Sequence, residues 1–481
     1  MNFRVKENYP CLITLLPCVT FISCSQLENS VTSAGSLKNS KANIIFIFAD
    51  DWGYGDLSAH GHSELRTPNL DKMISEGMDF KQFNVCSPVS SSSRVGVITG
   101  NFPSRHGIHQ QLSTLETNKS RCMPHWLSND ADMVLLPRLL QSAGYKTAHY
   151  GKWHLTSNHA VDIAPIPKDY GYDDAIVYNG GGAQVEDGPV GYESSVWTEY
   201  CVDYTIDFIE KNKANPFFVN LWIHESHQDI QPTPLMREQY PNTAEPYQSY
   251  YSVITSADSH IGRLMDYLKE AGLDENTLVI FSSDNGPETP DDGDNWTSRG
   301  QTAGLRGQKR SLYEGGVKVP FIVYMPGTVP KGKVNDVTQF AAVDLLPTFA
   351  SIAGVDLPDD YECDGEDVLD LFENKSFEKT KPVLQYWQGL SDTDTWPRLS
   401  AKDNTYKLVS DEYEEMFMGG TTKLYNHLND WGEDVNLLED TTNPSYDKYL
   451  SKAQELYGLV QTYYNEIDFE YWGTTWHEEN P

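Results

Sequence analysis

Short apolar runs separated by longer amphipathic stretches cover most of the chain. Runs of this length are expected for strands buried on both faces of a parallel sheet. The runs predicted as strands are Asn43–Ala49, Lys146–Tyr150, Phe217–His224, Leu278–Ser283 and Val317–Tyr324. The predicted helices are Thr67–Gly77, Met133–Ala143, Val196–Lys211, Tyr251–Gly272 and a closing helix that starts at Asp344 and stops before Gly354. Because strands and helices alternate, the pattern predicts an α/β fold with a mostly parallel sheet and helices on both faces.

The pattern changes after residue 378, where strand-like pieces become short and follow one another closely. These pieces are Pro382–Trp387, Tyr406–Val409 and Thr422–Asn426, and a helical pattern near Tyr446–Glu466 follows them. We therefore expect one large domain over residues 41–378 and a smaller α+β subdomain over residues 379–481.

The N-terminus has the pattern of an export signal. A short basic region precedes short apolar runs that end at Phe21–Cys24, and these runs are too short to span a bilayer. Phe21–Cys24 resembles a bacterial lipobox, in which Cys24 would be the lipidated residue. We expect a signal over residues 1–24, a polar tether over 25–40, and a periplasmic protein or a lipid-anchored outer-membrane protein of a Gram-negative bacterium.

Composition narrows the range of partners. The formal net charge is −33 and the pI is about 4.6, which argue against a surface for nucleic acid or anionic lipid. A local basic pocket can still bind an anionic substrate. Exposed members of the 28 Tyr and 11 Trp would suit stacking on sugars, although burial in the core is the commoner role of such residues. The seven cysteines show neither metal-ligand spacing nor a dense disulfide pattern.

Polar residues follow two of the predicted strands directly. Asp50 and Asp51 come after the first strand, and Asp284 and Asn285 follow a later one. Such residues also occur as ordinary turn residues. Two adjacent carboxylates repel each other unless a cation joins them, however, and oxygen donors at the carboxyl ends of parallel strands meet at one edge. We therefore predict a metal site there.

A serine-rich run forms the centre of the pattern. Ser90–Ser93 lead into Arg94 and an apolar segment with a plausible helix start. Serines can cap a helix, and a helix N-terminus attracts anions. On this stretch alone, a capped helix without chemistry is as good an interpretation as an anion site.

The run resembles the signature of the formylglycine-dependent sulfatases. There a Cys or Ser is followed by a small residue two positions on, an Arg four positions on and a closing Thr-Gly. Ser90 has Arg94 four positions on and Thr99-Gly100 after it, whereas Cys86 has Ser90 at the Arg position. The resemblance therefore makes Ser90, not Cys86, the residue that a formylglycine-generating maturation enzyme oxidises. Ser92 stands where Pro is usual.

Three further segments resemble the same family. They are Gly151-Lys152-Trp153-His154, Glu225-Ser226-His227 and Gly304–Gly316, which contains Lys309. His224 is interpreted as a strand residue with satisfied hydrogen bonds. Lys152 and His154, two apart in extended chain, should point the same way. The resemblance implies an alkaline-phosphatase-like fold whose C-terminal part is a small antiparallel sheet with a helix.

The resemblance also implies a mechanism. Calcium would be bound by Asp50, Asp51, Asp284, Asn285 and residue 90. Arg94, Lys152 and Lys309 would oppose the charge of a sulfate ester, with Lys152, Lys309 and His227 binding substrate. His227 would protonate the leaving alcohol, and His154 would take a proton from the hydrated formylglycine.

Three functions remain open from the sequence. The leading one is a sulfatase acting on O-sulfated carbohydrates of the glycosaminoglycan, mucin or algal type. The second is a phosphate or phosphonate ester hydrolase of the same superfamily. The third is a glycan-binding protein in which Ser90 is never oxidised.

Overall fold

The computed structural model describes residues 35–114, 124–127, 130, 133–157, 164–179, 183–184, 194–227, 230–289, 297–389, 397–411 and 421–467. The predicted signal, with Cys24, and most of the predicted tether lie outside the described residues.

A nine-stranded, mostly parallel sheet forms the centre of the described fold. The strands among the described residues are β1 (Asn43–Ala49), β2 (Met78–Phe80), β3 (Phe83–Asn84), β4 (Lys146–Lys152), β5 (Asp174–Asn179), β6 (Ala183–Gln184), β7 (Phe217–Trp222), β8 (Thr277–Ser283), β9 (Phe321–Tyr324), β10 (Lys333–Asn335), β11 (Phe340–Ala341), β12 (Val383–Tyr386), β13 (Leu399–Lys402), β14 (Tyr406–Ser410) and β15 (Lys423–Asn426). The sheet order is β10-β2-β9-β8-β1-β7-β4-β5-β6. The five neighbouring strands β8, β1, β7, β4 and β5 all run parallel. The predicted α/β class is therefore confirmed.

Helices pack on both faces of this sheet. The helices among the described residues are α1 (Pro68–Glu76), α2 (Ser90–Thr99), α3 (Leu136–Ser142), α4 (Trp197–Asn212), α5 (Pro234–Arg237), α6 (Tyr247–Glu270), α7 (Glu314–Val317), α8 (Leu345–Ala353), α9 (Leu369–Phe372) and α10 (Tyr446–Glu466). Alternate residues of β1 belong to two separate apolar clusters, Phe46 to one and Ile47 to the other, as expected when both faces of a strand are covered. Among the described residues, no helix has the length and apolar character needed to cross a membrane.

The C-terminal part forms a second, smaller sheet. Its order is β12-β13-β14-β15 and all its pairs are antiparallel, with α10 packed against it. Apolar residues of this sheet, among them Leu399, Leu408 and Leu424, share one core cluster with a face of the large sheet. The two sheets are therefore joined by a continuous apolar core.

Three local expectations are wrong. Strand β7 ends at Trp222, so His224 lies beyond the strand. The predicted strand Val317–Tyr324 begins instead as the last residue of α7, and β9 starts only at Phe321. The N-cap of α2 is Val89, and no side chain caps it, because Ser90 is already the first helical residue.

Candidate active site

The ends of β1 and β8 bring Asp50 and Asp284 together. The two strands are parallel neighbours, and their register aligns Ala49 with Ser283, the last residue of each strand. The backbone N–H of Asp284 donates to the carbonyl of Ala49 at 3.0 Å. The aspartates that follow therefore meet at the carboxyl edge of the sheet, where α/β folds bind ligands.

Three buried carboxylates form the centre of the site. Asp50, Asp51 and Asp284 each place one oxygen within 4.8 Å of the others. The amide Nδ2 of Asn285 donates to Oδ1 of Asp51 at 2.6 Å. Burial and the charge of Asp50 raise the pKa of Asp284 to about 6, although Arg94 acts in the opposite direction. A divalent cation would offset this repulsion, and hard oxygen donors are its usual ligands, so the cluster fits a divalent metal ion.

Two buried cations lie against the acidic cluster. Lys152 Nζ is 2.7 and 2.8 Å from the two carboxylate oxygens of Asp50. Arg94 Nη2 is 2.6 Å from Oδ2 of Asp284 and 3.7 Å from Oδ1 of Asp50. Burial by itself would raise the pKa of Asp50, but Lys152 and two nearby histidines hold it well below its usual value. Burial lowers the pKa of Lys152, and Asp50 only partly compensates.

The guanidinium of Arg94 is enclosed by aromatic rings. Its carbon lies 4.7 Å from the ring centre of Trp222 and 5.5 Å from that of Phe48. Nε and Nη1 have no hydrogen-bond partner among the described residues. Because buried polar groups are normally paired, a buried cation with two unused donors is a feature expected of an anion site.

Lys309 reaches the acidic cluster from a separate segment. Its Nζ is 2.6 Å from Oδ2 of Asp51 and 3.2 Å from Oε2 of Glu288. Burial lowers the pKa of Lys309, but the two carboxylates outweigh it and raise the pKa above its usual value. Oε1 of Glu288 also accepts from Arg310 at 2.5 Å. Glu288 could not be predicted from the sequence, because it lies in a loop where no periodicity marks it.

Ser90 begins α2 directly beside the acidic cluster. Its Oγ is 3.1 Å from Oδ1 of Asp50 and 3.3 Å from Oδ1 of Asn285. Lys152 Nζ donates to the same Oγ at 3.2 Å. Residue 90 therefore faces two of the predicted metal ligands and one predicted substrate-binding cation.

Cys86 lies away from this cluster and packs against α2. A Cβ placed on Gly96 would be 2.3 Å from the sulfur of Cys86, so the thiol occupies the space that the glycine leaves. Burial raises the pKa of Cys86, which keeps the thiol neutral and unreactive. The arrangement is that of a structural cysteine.

Two stacked histidines border the carboxylates. The rings of His224 and His227 lie 4.8 Å apart, and His227 Nε2 is 4.0 Å from Oδ2 of Asp51. His224 Nδ1 contacts Oδ2 of Asp50, so His224 belongs to the site. The sequence had suggested only a strand residue at this position. Burial lowers the pKa of His227 to about 3, against the raising effect of Asp50, so this imidazole is neutral at pH 7.

His154 does not lie in the extended chain that the sequence predicted. Strand β4 ends at Lys152, and His154 has a left-handed backbone with φ +49°. The prediction that Lys152 and His154 lie two apart in one extended chain is therefore wrong. Its Nε2 is 2.8 Å from the carbonyl of Leu112. Burial and then the charge of Lys152 hold the pKa of His154 well below its usual value.

Two family models match overlapping stretches of the chain. Residues 42–355 match the model described as Sulfatase. Residues 307–461 match the model described as N-sulphoglucosamine sulphohydrolase, C-terminal.

Known proteins resemble the chain over most of its length. It is 30% identical to the N-acetylgalactosamine-6-sulfatase of Rattus norvegicus over 73% of the chain and 70% of that protein. It is 27% identical to the N-acetylgalactosamine-6-O-sulfatase of Bacteroides thetaiotaomicron over 80% of the chain and 86% of the relative. Several mammalian relatives match over only 65% of their own length. The PsFucS1 sulfatase of Pseudoalteromonas sp. superposes with a TM-score of 0.70 at 22% identity, over 89% of this chain and 91% of that one.

Proposed function

The chain belongs to the sulfatase family, and from this premise we propose that it hydrolyses sulfate esters of carbohydrates with a nucleophile derived from Ser90. The observation that carries the proposal is the position of Ser90 Oγ within 3.3 Å of Asp50, Asn285 and Lys152. The proposed nucleophile, two proposed metal ligands and a cation therefore meet at one point.

We propose calcium as the ion of the acidic cluster. Its ligands would be the carboxylates of Asp50, Asp51 and Asp284, the amide oxygen of Asn285 and an oxygen of residue 90. Three carboxylates and an amide suit the oxygen-rich coordination of calcium. The bound ion would supply Lewis acidity, which increases the acidity of a hydroxyl at residue 90 and offsets sulfate charge.

Conversion of Ser90 to formylglycine would give residue 90 the chemistry that a plain serine lacks. Hydrated, the aldehyde would offer one hydroxyl oxygen for attack on sulfur and a second whose deprotonation releases sulfate and restores the aldehyde. An unmodified serine could at best retain the sulfate as an ester. A formylglycine-generating maturation enzyme is therefore a required partner.

Three cations would hold the sulfate group. Lys152 lies against residue 90, and Arg94 keeps two donors without partners among the described residues. Lys309 lies across the cluster on Asp51. Donors fixed before the substrate arrives stabilise developing charge without reorganisation, which is the basis of electrostatic catalysis.

Two histidines would move protons. His227, whose side chain is one-quarter exposed, would face the leaving alcohol. Its pKa is lowered to about 3 by burial, and the negative charge of a bound sulfate ester would raise it toward the range needed for an acid. His154, held neutral by burial and Lys152, would accept the proton from residue 90.

We propose sulfated glycans of the glycosaminoglycan type as substrates, because the rat and Bacteroides thetaiotaomicron relatives are named N-acetylgalactosamine-6-sulfatases. Residues 1–24 would direct export, and Cys24 would be the site of a lipid anchor that tethers the enzyme to a membrane.

The function is tested by desulfation of a panel of defined sulfated saccharides with calcium present. We expect sulfate release by the matured protein and a loss of at least about 10³-fold in kcat for Ser90→Ala, since a missing nucleophile removes the covalent step. Cys86→Ala is the matched control and should keep its activity. Faster hydrolysis of an aryl phosphate than of the matching aryl sulfate would contradict the assignment.

A further inference from the structure

A buried network of ion pairs joins the segment that carries Lys309 to the C-terminal sheet. Glu314, at the start of α7, lies 2.8 Å from Lys407 Nζ on β14 and 3.0 Å from Lys402 Nζ on β13. Lys318 Nζ is 2.9 Å from the same carboxylate. Lys407 also lies 3.2 Å from Glu433. The network therefore ties β13 and β14 of the C-terminal sheet to the segment that carries Lys309.

These groups are held tightly because all of them are buried. The side chains of Glu314, Lys407 and Glu433 are at most 1% exposed. Glu433 Oε2 also accepts from the backbone N–H of Glu314 at 2.7 Å. Leaving a buried charge without its partner is strongly destabilising, so such pairs have little freedom to move. The backbone of Glu314 is thereby fixed from two directions.

Further contacts attach the same segment, residues 303–316, to the C-terminal sheet and the loop after it. The Arg306 guanidinium lies 4.1 Å from the ring centre of Tyr313 and donates to the hydroxyl of Tyr425 at 3.2 Å. The indole N–H of Trp431 donates to the carbonyl of Ala303 at 3.0 Å. The segment is therefore held near its beginning, at Ala303 and Arg306, and near its end, at Glu314.

The segment also folds tightly on itself. The Gly315 N–H donates to the carbonyl of Arg306 at 2.7 Å, and a Cβ on Gly315 would lie 2.2 Å from the carbonyl oxygen of Gly307. Lys309 sits within this folded segment, and its own N–H donates to the carbonyl of Pro287 at 3.0 Å. Glu314 and Lys309 therefore belong to one compact segment, in which a shift of Glu314 is expected to move Lys309.

We propose that Glu314, Lys407 and Glu433 are positioning residues that set the place of Lys309, so that the C-terminal sheet controls how well the site holds a sulfate group. The proposal rests on the proposed function only in the role that it gives to Lys309. None of the three residues touches the acidic cluster. They act through the backbone of residues 303–316.

The test compares Lys407→Met with Lys379→Met. Lys379 is the matched control, since it is also buried and bridges two carboxylates. These are Asp344 at 2.9 Å and Glu366 at 2.7 Å, and neither lies in residues 303–316. We expect amide hydrogen exchange in residues 303–316 to become at least about tenfold faster in Lys407→Met, since opening by local unfolding becomes easier. Lys379→Met should leave exchange in this segment unchanged.

Kinetics of the matured enzyme give the second measurement. We expect Lys407→Met to lower kcat/KM for a sulfated saccharide about tenfold or more, because small misplacements of a binding group are costly. In a Lys309→Ala background the same substitution should have almost no further effect, since residues that act as one unit are not additive. Glu433→Gln, which keeps an acceptor for the Glu314 N–H, serves as the milder variant should Lys407→Met not fold.

Three results would overturn the proposal. The first is unchanged amide exchange in residues 303–316 of Lys407→Met, and the second is an equal increase of that exchange in Lys379→Met. The third is a loss of kcat/KM from Lys407→Met that adds fully to the loss from Lys309→Ala. Failure of the proposed function is a separate outcome. It would appear as absence of sulfate release by the unaltered protein, and the exchange comparison would still decide whether the network positions the segment.

Discussion

At the scale of single residues, the site is a set of buried charges whose pKa values are set by their neighbours. Burial would raise the pKa of Asp50, but Lys152 and two histidines hold it low, whereas burial and then the charge of Asp50 raise the pKa of Asp284. The same competition acts outside the site. Asp56 accepts from the N–H groups of Gly53 and Gln301, yet its complete burial still raises its pKa to about 7.

Asp56 gives a pH prediction. Because its pKa is higher in the folded protein than in the unfolded chain, its carboxyl contributes stability below its ordinary pKa of 3.8, and this contribution is lost as pH rises through about 7. Asp56→Asn cannot titrate. Between about pH 5 and pH 7, the unaltered protein should therefore lose about 2 kcal/mol of unfolding free energy relative to the variant.

The measurement is chemical denaturation of both proteins at several pH values. The difference between them isolates Asp56 from other titrating groups. A difference that does not change with pH would contradict the raised pKa.

At the scale of elements, strand register explains why distant residues meet. The apolar runs predicted β1 with its observed bounds, and the position of Asp50 and Asp284 after parallel strands predicted their proximity. The sequence could not show which strands are neighbours, so the contact of His224 with Asp50 was missed. It also could not show the left-handed turn at His154, since nothing in the local pattern requires it.

Strands β4 and β7 approach each other closely at Gly151, the residue before Lys152. This glycine has φ +114°, and a Cβ there would lie 2.0 Å from the carbonyl oxygen of Trp222. Gly144 also has positive φ, +93°, but nothing lies within 4 Å of its added Cβ. Gly151→Ala should therefore cost at least about 3 kcal/mol of stability, from strain plus a clash, against about 1 kcal/mol for Gly144→Ala.

Urea unfolding midpoints of the two alanine variants test this difference. We also expect Gly151→Ala to lower kcat, because the strand that carries Lys152 must shift, while Gly144→Ala keeps its activity. Equal stability losses in the two variants would show that the β4–β7 approach is less tight than described.

At the scale of the whole molecule, a strongly acidic protein surrounds the three buried cations that are proposed to hold the sulfate group. The net charge of −33 opposes the approach of a sulfated glycan over distances longer than any contact in the site. Arg94, Lys152 and Lys309 act only at short range, because each is buried against a carboxylate. Composition argued against a surface for nucleic acid but could not place these three cations in one pocket, since their proximity depends on tertiary structure.

The charge distribution predicts an unusual salt dependence. From about 10 mM to about 150 mM NaCl the Debye length falls from about 30 Å to about 8 Å, which screens the long-range repulsion. The kcat/KM for a multiply sulfated saccharide should therefore increase about threefold or more over this range. The increase should be smaller for a monosulfated saccharide, and a decrease for both would contradict this account of the surface.

The most direct test of the account is the mass of the peptide that contains residue 90, taken from protein produced in its native host. Conversion of Ser90 to formylglycine removes two hydrogens, so a peptide about 2 Da lighter than the encoded one is expected, with Cys86 unchanged. A peptide found wholly at the encoded mass would leave residue 90 without the second hydroxyl that sulfate release requires, and would contradict the proposed sulfatase mechanism.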